Sequence, residues 1–277
     1  MIDIITDSTS DLPEELLSKR NIHIIPLYVI LDSKTYKDRI EISNDEIFDF
    51  VKKTGNLPKT SAISIKDFIQ HFSHHKPQLF LGIGGKFSAT YNNAIAAANE
   101  IKNDNIHIID SMTLSSGIGQ LVLLAADLRD AGVETHQIVS EIEKARQKVR
   151  VSFMIETLDY LYKGGRCSAI QNIFGSLLSI RPVIEVRQDG TLGVKAKMRA
   201  SRQKVIQYML EQFKADLPIL NPRRIFITHT GCEQDAYVIR SQILSLCQPE
   251  ELILSTAGSV IASHCGPDTI GLIYMVK

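Results

Sequence analysis

Short apolar runs alternate with segments of helical periodicity along the first half of the chain, and this alternation restricts the fold more than any other feature. Runs of strand length at residues 2–6, 79–83 and 106–109 are each followed by a polar loop and then by a predicted helix. Strands separated by helices favour a parallel sheet with helices on both faces. The first half is therefore predicted to form an α/β domain.

The second half has a different pattern, in which strands follow one another more closely. Two β-rich runs flank Asp189-Gly190, a dipeptide typical of a tight hairpin turn. The strands predicted here cover residues 151–155, 182–187, 192–196, 224–228, 251–255 and 269–276, and the helices cover 158–163, 170–178, 201–215 and 235–246. A hairpin among helices indicates a mixed sheet. We predict two domains, residues 1–155 and 156–277, with a ligand site at strand ends or between the domains.

Three further elements are predicted for the first half. Residues 22–31 form one apolar run that predicts a single strand, and residues 135–150 have the amphipathic pattern of one helix. Ser43 and Glu46 have the spacing of a capping box, which places a helix start between them.

The composition is that of a globular protein, and its charge is unevenly distributed. Apolar residues make up 44% and charged residues 22% of 277 residues, which excludes a wholly disordered chain. The net charge is zero, so no overall basic excess points to nucleic acid. Residues 144–204, however, hold thirteen Lys and Arg against four Asp and Glu. This basic stretch predicts a surface for an anion, an acidic partner or lipid headgroups, with solvated helix faces as the alternative.

The cysteines and the start of the sequence give the prediction of the cellular compartment. Cys167, Cys232, Cys247 and Cys265 have no CxxC spacing and are interpreted as reduced thiols. The start of the sequence has neither a basic segment nor an apolar segment of a signal peptide, and no run is long enough for a membrane span. We predict a soluble cytoplasmic protein.

Two polar loops in the first half are candidates for chemistry. The cluster from Asp7 to Asp11 follows the first strand and is interpreted mainly as a helix cap, with anion or metal binding as alternatives. Thr60 and Ser61 offer adjacent hydroxyls to a carboxylate or phosphate oxygen, although Ser61 or Ser64 is equally suited to cap a helix.

Two more candidates are a glycine-rich loop and a histidine. Residues 82–91 match neither a Walker loop nor a dinucleotide fingerprint, so an anion held by backbone amides and Ser88 or Thr90 is predicted instead. His264 precedes a Gly-Pro turn and is able to donate to a carboxylate, and His229 is a secondary candidate. His71, His74 and His75 have no nearby carboxylate or cysteine, so no metal site is predicted.

Taken together, these loops resemble the DegV family, the fatty-acid-binding proteins that act as acyl-carrying subunits of bacterial fatty acid kinase. The resemblance covers nearly the whole chain, about residues 2–276. It rests on Thr6-Asp7-Ser8-Thr9-Ser10-Asp11-Leu12-Pro13, Pro58-Lys59-Thr60-Ser61, Phe87-Ser88-Ala89-Thr90-Tyr91, Asp110-Ser111, Gly164-Gly165-Arg166, Ile180-Arg181-Pro182-Val183-Ile184 and His264-Cys265-Gly266-Pro267.

The resemblance implies a two-domain DegV-like α/β fold, with a parallel-sheet N-terminal domain, a mixed-sheet C-terminal domain and one long-chain fatty acid between them. It implies that the tail is buried and that the carboxylate is held by hydroxyls and a histidine. The implied ligand-binding residues are Thr60, Ser61, Ser88, Ala89, His264 and Arg199. No metal, other cofactor or catalytic residue is implied.

The resemblance also implies a partner. Arg166, Arg199 and Arg202 lie in the basic stretch, where the family docks the catalytic subunit of fatty acid kinase. The protein is then expected to be a lipid carrier in bacterial phospholipid synthesis, without a nucleotide site of its own, that transiently contacts anionic membrane surfaces. The chain departs from the family pattern at Gly84-Gly85, at Ala89 and at Asp268, whose side chain we predict to point outward.

Two other classes of function are open on the sequence. The first is a hydrolase or phosphotransferase that uses Asp7 with a metal, or His264 as a base. The second is a binding module for a different amphiphile, such as an isoprenoid acid.

Overall fold

The computed structural model of the protein describes residues 2–72, 76–165 and 180–277, and its elements are numbered in chain order within them. The strands of the first half are β1 Asp3–Asp7, β2 Ile22–Ile25, β3 Tyr28–Leu31, β4 Lys34–Lys37, β5 Lys59–Ser61, β6 Gln78–Gly82 and β7 Ile106–Asp110. Its helices are α1 Glu14–Lys19, α2 Asn44–Thr54, α3 Ile65–His71, α4 Thr90–Ile101, α5 Ser116–Asp130 and α6 Thr135–Ala145.

The expected parallel sheet of the first half is present. Its strand order is β2-β1-β6-β7 and every pair is parallel, with Ile4 opposite both Ile22 and Leu79. Strand β6 is buried along its whole length, and α5 is buried over most of its residues. Burial of this kind explains why both elements are apolar with little alternation.

The single strand predicted at residues 22–31 is wrong, because Pro26 divides the run. Proline has no backbone N–H to give to a sheet. The segment before it, β2, joins the parallel sheet, and the segment after it, β3, is the centre of an antiparallel sheet of order β4-β3-β5. Strand β5, too short and polar to be predicted, carries Thr60 and Ser61.

The second half contains the mixed sheet. Its strands are β8 Val149–Met154, β9 Arg181–Val186, β10 Leu192–Met198, β11 Leu220–His229, β12 Glu251–Thr256 and β13 Ile270–Val276. Its helices are α7 Asp159–Lys163, α8 Arg202–Asp216, α9 Glu233–Leu246 and α10 Ser259–Cys265. The sheet order is β10-β9-β8-β13-β11-β12, in which β11 and β12 are parallel and the other pairs antiparallel.

Local predictions in this region have mixed outcomes. The hairpin across Asp189-Gly190 is confirmed, and Gly190 supplies the positive φ of 78° that the turn requires. The helix predicted over 135–150 is wrong beyond Ala145, because Val149 and Arg150 pair with the terminal strand instead. The capping box of Ser43 and Glu46 is confirmed. The helix predicted at 170–178 lies outside the described residues.

The two halves share a hydrophobic core. Ile118 and Leu121 of α5 belong to the same buried cluster as Val151, Phe153 and Phe226 of the mixed sheet. A second cluster lies between the other face of that sheet and helices α8 and α9. The domain division at residues 155 and 156 remains a prediction. Within the described ranges, no helix is both long enough and apolar enough to span a membrane.

Candidate ligand-binding site

Residues from both halves of the chain line an apolar cleft with about 570 Å³ of empty space. Most of the lining residues come from β5, the loops after β6 and β7, helices α7 and α10, and the mixed sheet. The lining residues are Leu27, Thr60, Ser61, Ala62, Ile83, Phe87, Ser88, Leu114, Phe153, Leu161, Leu192, Val260, Ile261, His264 and Cys265. Concave apolar sites with a few polar groups are typical of small-molecule binding.

Thr60 and His264 meet in the wall of this cleft although 204 residues separate them in sequence. Thr60 Oγ1 lies 2.8 Å from His264 Nε2, and both side chains are half-buried. His264 is in the last turn of α10, and Thr60 is fixed by the pairing of β5 with Val29 of β3. At this distance one group donates to the other, and when Nε2–H donates to Thr60 Oγ1 the Thr60 hydroxyl is free to donate to an oxyanion in the cleft.

Ser61 and Ser88 add further hydroxyls to the cleft. Ser61 is exposed, and its contact with the Ala62 carbonyl is long, at 3.4 Å. Ser88 lies just before α4, where its hydroxyl is 2.8 Å from Thr90 Oγ1 and accepts the Thr90 amide at 3.2 Å. The predicted residues Thr60, Ser61, Ser88 and His264 therefore line one cleft, and their role as ligand contacts remains a prediction.

Two other predicted residues do not join them. Ala89 is exposed at the start of α4, and Arg199 is exposed immediately after β10. Neither belongs to the described wall of the cleft. Each remains a prediction for a ligand contact, without a position in the cleft to support it.

A second apolar space of about 360 Å³, called the inner lobe below, adjoins the cleft. The two spaces share four lining residues, Leu114, Phe153, Ile261 and Cys265, and are therefore adjacent. Thr228, His229, Thr230, Ala257 and Gly271 line the lobe beyond them. Burial lowers the pKa of His229, which favours a neutral imidazole there. The apolar lining was missed by sequence reasoning, because a cleft wall and a core have the same hydrophobic pattern.

Two buried carboxylates hold the start of α10 and thereby position His264. Asp11 Oδ1 accepts the Gly258 amide at 2.7 Å, and Asp38 Oδ1 accepts the Ser259 and Val260 amides at 2.7 and 3.2 Å. Burial raises the pKa of Asp11 to about 7 and also raises that of Asp38. Positioning residues for the histidine thus come from loops near the start of the chain.

The loop from Asp7 to Asp11 is a buried structural junction. Asp7 caps a short 3₁₀ turn, as predicted, by accepting the Thr9 amide at 2.9 Å, and its other oxygen accepts the Ile83 amide at 2.7 Å. A Cβ at Gly82 would lie 2.3 Å from Asp7 Oδ2, so this close approach requires glycine. Burial raises the pKa of Asp7 to about 6. Among the described residues, no cluster of His, Cys, Asp and Glu is suited to hold a metal.

The predicted docking residues have different surroundings. Arg202 bridges Glu156 at 3.3 Å and Asp235 at 2.5 Å, whereas Arg199 is exposed and in no described ion pair. Arg166 lies outside the described residues. Asp268 is exposed, which confirms its predicted outward orientation.

Comparison with known proteins identifies the family. A sequence model described as an uncharacterised protein of the DegV family matches residues 1–277. A DegV domain-containing protein of Caldanaerobacter subterraneus subsp. tengcongensis is 32% identical over 280 residues, which cover 100% of this chain and 99% of the relative.

Solved structures agree with this match. The fatty-acid-binding DegV family protein of Thermus thermophilus is 32% identical with a TM-score of 0.91, covering 100% of this chain and 99% of that one. A stearic-acid-binding protein of Eubacterium ventriosum is 25% identical with a TM-score of 0.89, over 100% and 99% of the two chains. The similarity extends over the entire sequence in each case, and the chain therefore belongs to the DegV family.

Proposed function

We propose that the protein binds one long-chain fatty acid, with the carboxylate at Thr60 and His264 and the tail directed into the inner lobe. The observation that carries this proposal is the 2.8 Å contact between Thr60 Oγ1 and His264 Nε2 in the wall of an apolar cleft that adjoins a second apolar space. The fatty-acid-binding relatives of the same fold support the class of ligand.

Burial of the tail supplies most of the affinity in this proposal. A palmitoyl or stearoyl tail buries roughly 15 CH₂ groups at about 0.8 kcal/mol each, or ~12 kcal/mol before the cost of ordering the ligand. Thr60, His264, Ser61 and Ser88 then orient the carboxylate and leave the tail to the apolar walls. Arg199 and Ala89 act at the exposed rim instead of inside the cleft.

The proposal extends to a role as the carrier subunit of a fatty acid kinase. The protein presents the carboxylate to a separate catalytic subunit, which forms the acyl-phosphate, and then delivers the product near an anionic membrane surface. Of the two predicted docking residues that the structure describes, Arg199 is better placed to contact the catalytic subunit, because its side chain is exposed. Arg202 contributes to the same docking surface indirectly, because its ion pairs with Glu156 and Asp235 fix the start of α8 next to Arg199.

The enzymatic alternative receives less support from the position of its residues. Asp7 has no exposed surface, and its two oxygens accept the backbone amides of Thr9 and Ile83. A nucleophile or metal ligand needs a free lone pair that faces substrate. His264 does line the cleft, so a His264 base is the form of this alternative that an experiment must test.

Mass spectrometry of an organic extract of the purified protein tests the ligand. We expect a long-chain fatty acid in near-equal amount to the protein, and a smaller amount from the double variant Thr60→Val/His264→Ala. The double variant Thr35→Val/His136→Ala is the matched control, because both residues are exposed and neither lines the cleft. Extracts without fatty acid would refute the proposal, and turnover of a phosphoester that depends on His264 would favour the enzyme.

Acyl-phosphate formation with a cognate kinase tests the carrier role. The protein loaded with fatty acid is expected to support transfer of phosphate from ATP, and Arg199→Glu is expected to raise the concentration needed for half-maximal rate. An unchanged rate curve for this variant, with normal fatty acid content, would remove Arg199 from the docking surface and leave fatty acid binding intact.

A further inference from the structure

A second cleft, separate from the fatty acid cleft, is lined by three arginines. This open cleft has about 810 Å³ of space and lies between the loop after β7, the start of β8 and the end of β9. Its lining residues are Met112, Thr113, Arg146, Gln147, Val149, Arg150, Glu185, Val186, Arg187 and Gln188. The two apolar spaces described above share none of them.

These arginines belong to the part of the basic stretch that is not neutralised by ion pairs. The structure describes six arginines in residues 144–204, and two of them, Arg181 and Arg202, form ion pairs with acids. Arg199 is exposed elsewhere. The remaining three line this cleft, and none of them is in an ion pair with a described residue.

Hydrogen bonds to the backbone hold two of the three arginines in place. The Arg146 guanidinium donates to the Asp110 carbonyl at 2.9 Å, and that of Arg150 donates to the Gln147 carbonyl at 3.1 Å. The Arg187 guanidinium lies over Gly193, where a Cβ would come within 2.3 Å of Nε. Cationic groups held in this way lose less conformational entropy when an anion binds.

The charges of the cleft select the kind of anion. Three guanidinium groups face one carboxylate, Glu185, which already lies 3.5 Å from Lys195. The excess is about two positive charges, which matches the charge of about −1.5 to −2 on a phosphate monoester near pH 7. A ligand with a single carboxylate group would leave about one positive charge of the cleft without a partner. One guanidinium group is also able to donate two parallel hydrogen bonds to two phosphate oxygens, which a lysine ammonium group does not do.

We propose that this three-arginine cleft, formed by Arg146, Arg150 and Arg187, binds a phosphate monoester. Gln147 and Gln188 supply neutral amide donors beside the arginines. The phosphate comes either from a soluble molecule or from the headgroup of phosphatidic acid in a membrane, because both present the same group. Thr113 lines this cleft and the next residue, Leu114, lines the fatty acid cleft, so the two sites share one loop.

Binding of inorganic phosphate and of vesicles tests this proposal on the full chain. The variants are the double variant Arg150→Gln/Arg187→Gln and the single variant Arg187→Gln. The single variant is expected to fold normally, because the side chain of Arg187 is exposed. Arg240→Gln on α9 is the matched control, since Arg240 is exposed and outside the cleft. Calorimetry measures phosphate binding, and flotation measures binding to phosphatidylcholine vesicles with and without phosphatidic acid.

We expect the double variant to bind phosphate at least about tenfold more weakly than the wild type and Arg240→Gln, because two charged hydrogen-bonding groups are lost. Phosphate binding that follows this order supports the site with a soluble source. Binding only to phosphatidic acid vesicles, lost in the double variant, supports it with a membrane source. Absence of both, or equal binding by the double variant and Arg240→Gln, overturns the proposal. Fatty acid content is measured on the same samples and is expected to be unchanged, which separates this test from that of the proposed function.

Discussion

Two polar regions of this protein have opposite surroundings. The loop from Asp7 to Asp11 is fully buried, and its carboxylates accept hydrogen bonds from amides and hydroxyls of distant segments. Thr60 and His264, in contrast, are half-buried and border an apolar space. A cluster of polar side chains therefore indicates a binding site only where it borders a space that a ligand is able to enter.

The two regions are nevertheless connected through α10. Asp11 and Asp38 hold the amides at the start of this helix, and His264 lies near its end. The buried region therefore positions the open one. Its contribution to binding is indirect, through the placement of one imidazole, while its contribution to the free energy of unfolding is direct.

The strongest test of this distinction removes the carboxylate of Asp11. In Asp11→Leu the Gly258 amide and the Ser115 hydroxyl lose their acceptor, and leucine is strained at the φ of 51°. We expect the free energy of unfolding, measured with urea, to fall by about 4–5 kcal/mol. The exposed Asp104→Leu is the control and is expected to change it by less than about 0.5 kcal/mol. A loss below about 1 kcal/mol for Asp11→Leu would contradict the structural role.

The pH dependence of stability gives the second largest effect. Burial raises the pKa of Asp11 from 3.8 to about 7, so the folded protein holds this proton more tightly than the unfolded chain. The free energy of unfolding therefore falls as the pH rises between these two values, by on the order of 3 kcal/mol from this group. Burial of Asp7, whose pKa is raised to about 6, adds to the fall.

Asp11→Asn isolates this contribution. The amide keeps an acceptor for Gly258, is able to donate to Ser115, and tolerates the left-handed backbone. Urea unfolding between pH 4 and pH 8 is expected to give a flatter profile for this variant than for the wild type. Asp104→Asn is expected to retain the slope of the wild type, and equal slopes for all three proteins would show that Asp11 does not titrate in this range.

The elements that could be predicted from the sequence are those stabilised by local interactions or buried along their whole length. Apolar runs gave most strands of both sheets, and Asp189-Gly190 fixed one hairpin register. Strand β5 was missed because its three residues, Lys59–Ser61, are polar and depend on pairing with β3. Helix α10 was missed because it has only seven residues and is held by carboxylates from elsewhere in the chain.

The candidate site was less predictable than the fold. Nothing in their spacing brings Thr60 and His264 together, since their contact depends on β5 and α10, and only the family resemblance placed them in one site. The basic stretch was evident from counting, but its division into paired, exposed and cleft-lining arginines is a tertiary property. The order of charged residues along a sequence does not show which of them form ion pairs in the fold.

Removal of one hydroxyl at the open region is expected to affect binding more than folding. Thr60→Val keeps the shape of the side chain and loses the donor that faces His264. We expect fatty acid affinity, measured by displacement of a fluorescent fatty acid, to fall by about tenfold, which is about 1.4 kcal/mol. The free energy of unfolding is expected to change by less than about 1 kcal/mol. Thr35→Val, on the exposed strand β4, is the control, and equal affinities of the two variants would count against a carboxylate at Thr60.

The smallest expected effect concerns the inner lobe, where the tail of the ligand ends in our proposal. Ala257→Leu fills part of this lobe, whereas Ala62→Leu places the same side chain in the cleft nearer to Thr60. Ala257→Leu is expected to weaken stearate relative to myristate by about fourfold, equal to about one CH₂ group at ~0.8 kcal/mol. Ala62→Leu is expected to weaken both acids equally, because the two have the same carboxylate end. The reverse result would place the carboxylate in the inner lobe, and the open region at Thr60 and His264 would then hold the tail.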